Sequence, residues 1–171
     1  DREEVYCFSS VGERLWRYRP SLAFTFGDTR FSGPWGFWDM LIASGGRQKV
    51  IWLALAYWNW MPGAVVALDP EGRATVRFVS AGNVYTLARA SDQGRNYIMA
   101  GGVNNEHVSA VLAILDEDAP PSCSPQSRGS RFECLDGPKG QPARYFLFPP
   151  SDVTIASDRP YNMVVRIDRV N

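Results

Sequence analysis

Long apolar runs, histidine, lysine and paired cysteines are what this chain of 171 residues has least of. The longest apolar stretch, Val50 to Met61, is broken by Asn59 and falls short of the roughly 18 residues that a membrane-spanning helix needs, so no membrane insertion is expected. His107 is the only histidine, and the three cysteines contain no CxxC pair. Four-ligand zinc sites draw on more donors than that, and neither a metal nor a cofactor is expected. Glycine-rich phosphate loops are missing as well. Gly33-Pro34-Trp35-Gly36 and Gly45-Gly46 have neither the spacing nor the following helix of a nucleotide-binding loop, and no GxSxG elbow is present to carry a serine nucleophile.

Excess charge is absent too. Eighteen basic residues balance eighteen acidic ones, whereas phosphate backbones are bound by basic surfaces. The one basic cluster, Arg14, Arg17 and Arg19, sits in a strand-like stretch and reads as a solvated face. No nucleic-acid partner is expected. Asn-X-Ser/Thr sequons do not occur.

What is present is apolar and aromatic: 45% hydrophobic residues, 13% of the chain Phe, Trp or Tyr, and many Val, Ile and Thr. Such residues favour strands. The length suits one domain with its own core, taken as residues 1–171. The chain starts at Asp1-Arg2-Glu3-Glu4 without Met or signal peptide, and is read as a mature or excised part of something longer. Cys7 lies in an apolar strand pattern and reads as a small buried hydrophobe. Cys123 and Cys134 flank a Ser/Pro/Gly/Arg-rich loop that a disulfide between them would close, which favours an extracytoplasmic location slightly.

The stretch Ile98 to Asp118 reads as two strands joined by a polar turn, and it echoes earlier parts of the chain. Val5 to Tyr18 alternates apolar residues around a Ser-Ser-Val-Gly turn, a hairpin signature. Sixty positions later Val65 to Phe78 repeats it without a gap: Val5 falls on Val65, Phe8 on Leu68, Ser9 on Asp69, Gly12 on Gly72, Trp16 on Val76 and Tyr18 on Phe78. A third, partial copy places Leu112 on Val65, Leu115 on Leu68 and Asp116 on Asp69. Strand-and-loop units at Val50 to Gly63 and Tyr97 to Ser109 precede the last two copies. Repeats of this kind predict an all-β domain of antiparallel hairpins, β-propeller-like, either partial or completed by another chain. Residues 119–141 read as an irregular Cys-flanked loop with little to bury, residues 143–170 as C-terminal strands. Trp35 to Ala43 has some helical spacing, but no amphipathic helix is expected.

The blade-like grammar of WNWMPGAVVALDPEGR, AGGVNNEHVSAVLAILDED, SPQSRGSRFEC and YFLFPPSD resembles the FG-GAP class of propeller repeats found in large bacterial proteins. That resemblance implies a binding, adhesion or scaffolding module. The calcium loop of the class alternates acids, whereas the corresponding stretch here, Trp38 to Gly46, keeps only Asp39. One carboxylate cannot supply the six to eight oxygens calcium takes, and no calcium is expected.

Two loops hold the candidate site. Trp58 and Trp60, with Asn59 between them, offer rings of the kind that sugar- and peptide-binding surfaces use. Asn104, Asn105, Glu106 and His107 lie in the matching loop of the next unit. If both loops emerge on one face they form a single ligand-binding patch for a protein or a glycan, without catalysis. An alternative makes Glu106 and His107 the general acid and base of a glycan hydrolase or lyase; solvated side chains and turn caps are the plainer reading of the same residues. A further alternative is a subunit of a larger assembly, whose sheet edges a parent chain or a second copy completes.

Overall fold

The computed structural model describes residues 3–45, 48–58, 60–156 and 162–168. Among them the strands run, in chain order, β1 Val5–Phe8, β2 Arg14–Tyr18, β3 Phe24–Phe26, β4 Thr29–Phe31, β5 Trp35–Gly45, β6 Gln48–Tyr57, β7 Gly63–Leu68, β8 Ala74–Ser80, β9 Val84–Asp92, β10 Arg95–Asn104, β11 Ser109–Asp116, β12 Ser122–Cys123 and β13 Arg144–Phe148. A single helical turn, α1 Asp152–Ile155, follows, capped by the Ser151 hydroxyl.

The protein is all-β. One sheet has the order β12-β8-β7-β6-β5 and another β13-β11-β10-β9; β1–β2 and β3–β4 are separate hairpins. All pairings are antiparallel except that of β12 with β8. Among the described residues these strands form no closed barrel and no ring of blades.

The alternation of side chains along β6 and β7 explains the layering. Leu53, Leu55, Val66 and Leu68 project into a core shared with Tyr18, Phe24, Phe26 and Trp35 of the N-terminal hairpins and β5. Their neighbours Trp52, Ala54 and Val65 project the other way, onto Leu87, Ile98, Ala100, Ala113 and Leu115 of the second sheet. The five-stranded sheet is therefore the middle layer, covered on both faces. That is why β6 and β7 read as nearly continuous apolar runs rather than as alternating strands. Each fully buried Leu or Val there contributes roughly 1.5–3 kcal/mol of transfer free energy.

The echo at sixty residues is structural. Val5 pairs with Tyr18 and Phe8 with Arg14; Val65 pairs with Phe78 and Leu68 with Ala74. Each hairpin has a one-residue bulge on its return strand, at Leu15 in one and at Arg77 in the other. The turns match bond for bond. The Ser9 and Asp69 N–H groups donate to the carbonyls of Glu13 and Arg73, and the Gly12 and Gly72 N–H groups to those of Ser9 and Asp69. Gly12 and Gly72 take φ of 85° and 80°, where a side chain is disfavoured. The first hairpin is docked on the second, since Trp16 Nε1 donates to the Pro70 carbonyl at 2.8 Å. The third copy gains its strand and its Asx turn, with the Asp118 N–H donating to Asp116 Oδ1 at 2.9 Å, but no hairpin return: the chain crosses to lay β12 parallel beside β8. Arg77 gathers that exit turn, donating to the carbonyls of Glu117 and Ala119 at 2.8 and 2.7 Å.

Several sequence expectations gain detail here, and Trp35 to Ala43 forms no helix, as expected. That stretch is strand, and Asp39 joins the two sheets: its carboxylate accepts from the Met40 N–H at 2.8 Å and from the Leu87 N–H of β9 at 2.7 Å. Residues 119–141 are irregular as expected, yet they bury Ser122 and Ser124 and lay Phe132, Cys123 and Cys134 on the first core. Of the C-terminal strands, β13 forms, whereas residues 162–168 join no ladder. The rest of the expected last strand, and Asn59, lie outside the described residues.

Burial sets a limit at high pH. The Tyr18 phenol is buried and, among the described residues, without a hydrogen-bond partner, and burial pushes its pKa up to about 12; burial does the same at Tyr145, against the opposing Asn104 hydrogen bond. Above about pH 10 an unfolded chain loses these protons while the folded one keeps them, so stability is full below that pH and falls as pH rises towards about 12. Urea unfolding at pH 8 and pH 11 is expected to differ by a few kcal/mol, and Tyr18→Phe is expected to flatten the slope. An unchanged midpoint at pH 11 contradicts this account.

Candidate functional site

The β6–β7 loop is built to turn tryptophan outwards. Its ends are joined by the Tyr57 N–H donating to the Pro62 carbonyl at 2.9 Å. Trp60 takes φ of 74°, a left-handed conformation that bulky residues adopt only when their surroundings hold them there. Part of that hold comes from the β10–β11 loop, where Asn105 Nδ2 donates to the Trp60 carbonyl at 2.7 Å. The two loops expected to converge are thus in contact.

A third tryptophan reaches the same place by a different device. The pairing of β5 with β6 skips Trp38, so that Phe37 faces Leu55 and Asp39 faces Ala54. Bulges of this kind re-aim a side chain. The Trp38 ring meets Tyr85 of β9 edge to face, centroids 5.0 Å apart. Trp38, Trp58, Trp60, Tyr85, Asn83, Met163 and Val165 line an open cleft of about 600 Å³, and a recess of about 100 Å³ runs on beneath Trp38 and Trp58 to Gly36 and Ala56. Trp58 is 62% exposed, Trp38 50% and Trp60 48%. Among the described residues, no charged side chain lines the cleft.

Asn83 lies on the floor, 5% exposed. Its carbonyl accepts from the Val103 N–H at 3.1 Å. Its side-chain Nδ2 reaches the Tyr85 hydroxyl at 3.5 Å, but Oδ1 is buried with no hydrogen-bond partner among the described residues. An orphaned acceptor of this kind costs on the order of 1–3 kcal/mol and calls for an explanation. Met163 and Val165 form the opposite wall. Between them Val164 anchors the segment to β10, its N–H donating to the Gly102 carbonyl at 3.0 Å and its side chain lying over Gly101, where a Cβ would come within 2.5 Å of Val164 Cγ1. Asn162 secures the same segment, its Oδ1 accepting from the Ala110 N–H at 2.8 Å and its Nδ2 donating to the Phe148 carbonyl at 2.9 Å.

The remaining predicted residues have other work. Asn104 is fully buried: Nδ2 donates to Gln126 Oε1 at 3.0 Å and to the Tyr145 hydroxyl at 2.7 Å, while Oδ1 accepts from the Glu106 and His107 N–H groups at 3.0 and 3.3 Å. It shapes the loop and offers nothing to a ligand. Glu106 is docked on the irregular segment, its carboxylate accepting from Gln126 Nε2 at 2.6 Å and from the Ser127 N–H at 3.0 Å. Burial pushes its pKa up, but hydrogen bonds from Ser127 and Ser130 and the neighbouring His107 together outweigh burial and hold it below the ordinary carboxylate range. His107, 3.9 Å from Glu106, does not line the cleft. Among the described residues no group of three His, Cys, Asp or Glu could hold a metal ion. Cys123 and Cys134 are brought together, as thiols.

Sequence reasoning found Trp58 and Trp60 but missed Trp38, Asn83, Tyr85, Met163 and Val165. At Trp38 there was no local signal, since β5 reads as apolar runs around a single Asp39 without alternation. No family model, no curated protein and no solved structure matches the chain.

Proposed function

We propose that the protein is a non-catalytic binding module that takes an uncharged glycan into the cleft of Trp38, Trp58, Trp60 and Tyr85. The observation that carries this is that Asn83 Oδ1, without a partner among the described residues, lies on the floor of an aromatic cleft that no described charged side chain lines. Sugars and proline-rich peptides both stack on tryptophan-lined surfaces. A proline-rich peptide brings carbonyl acceptors and few N–H donors, which leaves Oδ1 without a partner. A sugar presents hydroxyl donors at the edge of an apolar ring face, and so supplies the donor and the stacking surface together. The uncharged lining among the described residues speaks against ionised ligands, whose desolvation those side chains would not offset.

The hydrolase or lyase alternative is less well supported, because the Glu106 carboxylate is committed to Gln126 and Ser127. For an FG-GAP-type, propeller-like array the matched hairpins at sixty residues speak, and that reading requires further strands from a parent chain or a second copy.

Titration of neutral oligosaccharides into the chain, followed by tryptophan fluorescence and calorimetry, tests the proposal. At least one is expected to bind, and Trp58→Ala to weaken it by about 30-fold, the scale of a tryptophan hot spot, with an unchanged unfolding midpoint because Trp58 is largely exposed. Binding that is indifferent to Trp58→Ala, or confined to proline-rich peptides, overturns it.

A further inference from the structure

The irregular segment 119–141 contains a second chemical feature, separate from the cleft. Cys123 is held by β12, paired with Val79 of β8, and its N–H donates to the Gly140 carbonyl at 3.1 Å. Cys134 bridges to Phe26 of β3. Both ends of the intervening chain are therefore fixed to the body of the protein, and they are fixed so that the two thiols hydrogen-bond to each other. Gly137 lies directly against the pair: a Cβ there would stand 2.5 Å from Cys134 Sγ and 2.8 Å from Cys123 Sγ. Its φ does not demand glycine, so the close approach of the two sulfurs is what leaves no room for a side chain. Both cysteines are partly accessible, and bare backbone covers the sulfurs.

We propose that Cys123 and Cys134 are a reactive dithiol site, in which Cys134 attacks a small-molecule disulfide such as oxidised glutathione and Cys123 resolves the product to an internal bridge. In the first step the Cys134 thiolate forms a bond to one glutathione sulfur as the glutathione S–S bond breaks and one glutathione thiolate leaves. In the second, Cys123 gives its proton to solvent and attacks Cys134 Sγ, expelling the other glutathione. Two electrons pass from the cysteine pair to the disulfide. The order of attack follows from the surroundings. Cys134 receives hydrogen bonds from the Cys123 thiol and from the Gly137 N–H, and these hold its pKa below the ordinary thiol range against the effect of burial; the same thiol–thiol bond and burial push Cys123 up. Thiolate, not thiol, is the nucleophile.

The bridge would close residues 124–133 into a loop whose Gln126 and Ser127 hold Glu106 and Asn104. Oxidation thus fixes the support beneath the Asn105–Trp60 contact, whatever ligand the cleft takes.

Incubation of the purified chain with oxidised glutathione, followed by alkylation and intact-mass analysis, tests this. Two of the three cysteines are expected to be protected and joined as Cys123–Cys134, with Cys7 still alkylated and Tm raised by roughly 5 °C. Cys123→Ser is expected to accumulate one glutathione adduct on Cys134, and Cys134→Ser to accumulate adduct on Cys123 at least about tenfold more slowly. Three cysteines that remain equally alkylated, a bridge that includes Cys7, or equal adduct rates in the two variants overturn the proposal.

Discussion

Replacing Gly102 by alanine is expected to destabilise the protein by more than about 3 kcal/mol, the range of forced overpacking with backbone displacement. An added Cβ would lie 2.0 Å from the Asn83 carbonyl oxygen and 3.1 Å from the Val84 Cα. Neither neighbour can give way cheaply, because both are backbone. The Asn83 carbonyl is bound to the Val103 N–H, and the Asn105 N–H to the Ala81 carbonyl, so the β8–β9 turn is stitched to β10 along the line on which the new methyl would intrude. The reciprocal contact is equally close: a Cβ on Gly82 would meet the Val103 carbonyl at 2.0 Å. Chemical denaturation of Gly102→Ala beside Gly101→Ala separates two effects. At Gly101 the obstruction is mainly side chain, Val164 and Thr86, so a smaller loss is expected there, together with a displaced Met163–Val165 wall. A Gly102→Ala midpoint within about 1 kcal/mol of the parent protein would show that the crossing is not close-packed.

Asn104→Ala is expected to cost about 3 kcal/mol, since it leaves the Tyr145 hydroxyl, Gln126 Oε1 and the Glu106 N–H with a lost partner in a buried setting. It is also expected to weaken ligand binding although Asn104 touches no ligand, because the loop it shapes carries Asn105, which holds the Trp60 carbonyl. Direct contact and loop support are told apart by the unfolding measurement. Were Asn104 a contact residue, affinity would fall while stability held. Were it only a buried scaffold remote from the cleft, stability would fall while the folded fraction bound normally. Both are expected to fall.

Much of the local structure was legible in the residues. Period-two alternation marked β1 and β2, their echo sixty residues on marked β7 and β8, apolar runs marked β10 and β11, and the turn residues of Ser9–Gly12 and Asp69–Gly72 marked two hairpins whose first and last strand pairs correspond. The convergence of the Trp58–Trp60 loop with the Asn105 loop was legible for the same reason, since both sit at matching ends of adjacent repeat units. Roles within the site were not. Asn104 and Asn105 are neighbours of identical chemistry, yet one is sealed by Gln126 and Tyr145 and the other reaches Trp60. Those partners lie 20 or more residues away in the chain, beyond any local pattern.

The sequence by itself determined an all-β chain, its duplicated hairpin, and the aromatic residues at one end of it, because alternation, turn chemistry and residue type act over a few positions. Tertiary structure alone decided that the hairpins stack as layers on either side of β6 and β7, that Asp39 ties two sheet edges together, and that residues 119–141 and 162–168 wall and brace the cleft. An apolar face declares in sequence only that it must be covered. Which strand, loop or segment covers it is settled by long-range register, and that is where the open cleft with its unpaired Asn83 oxygen comes from.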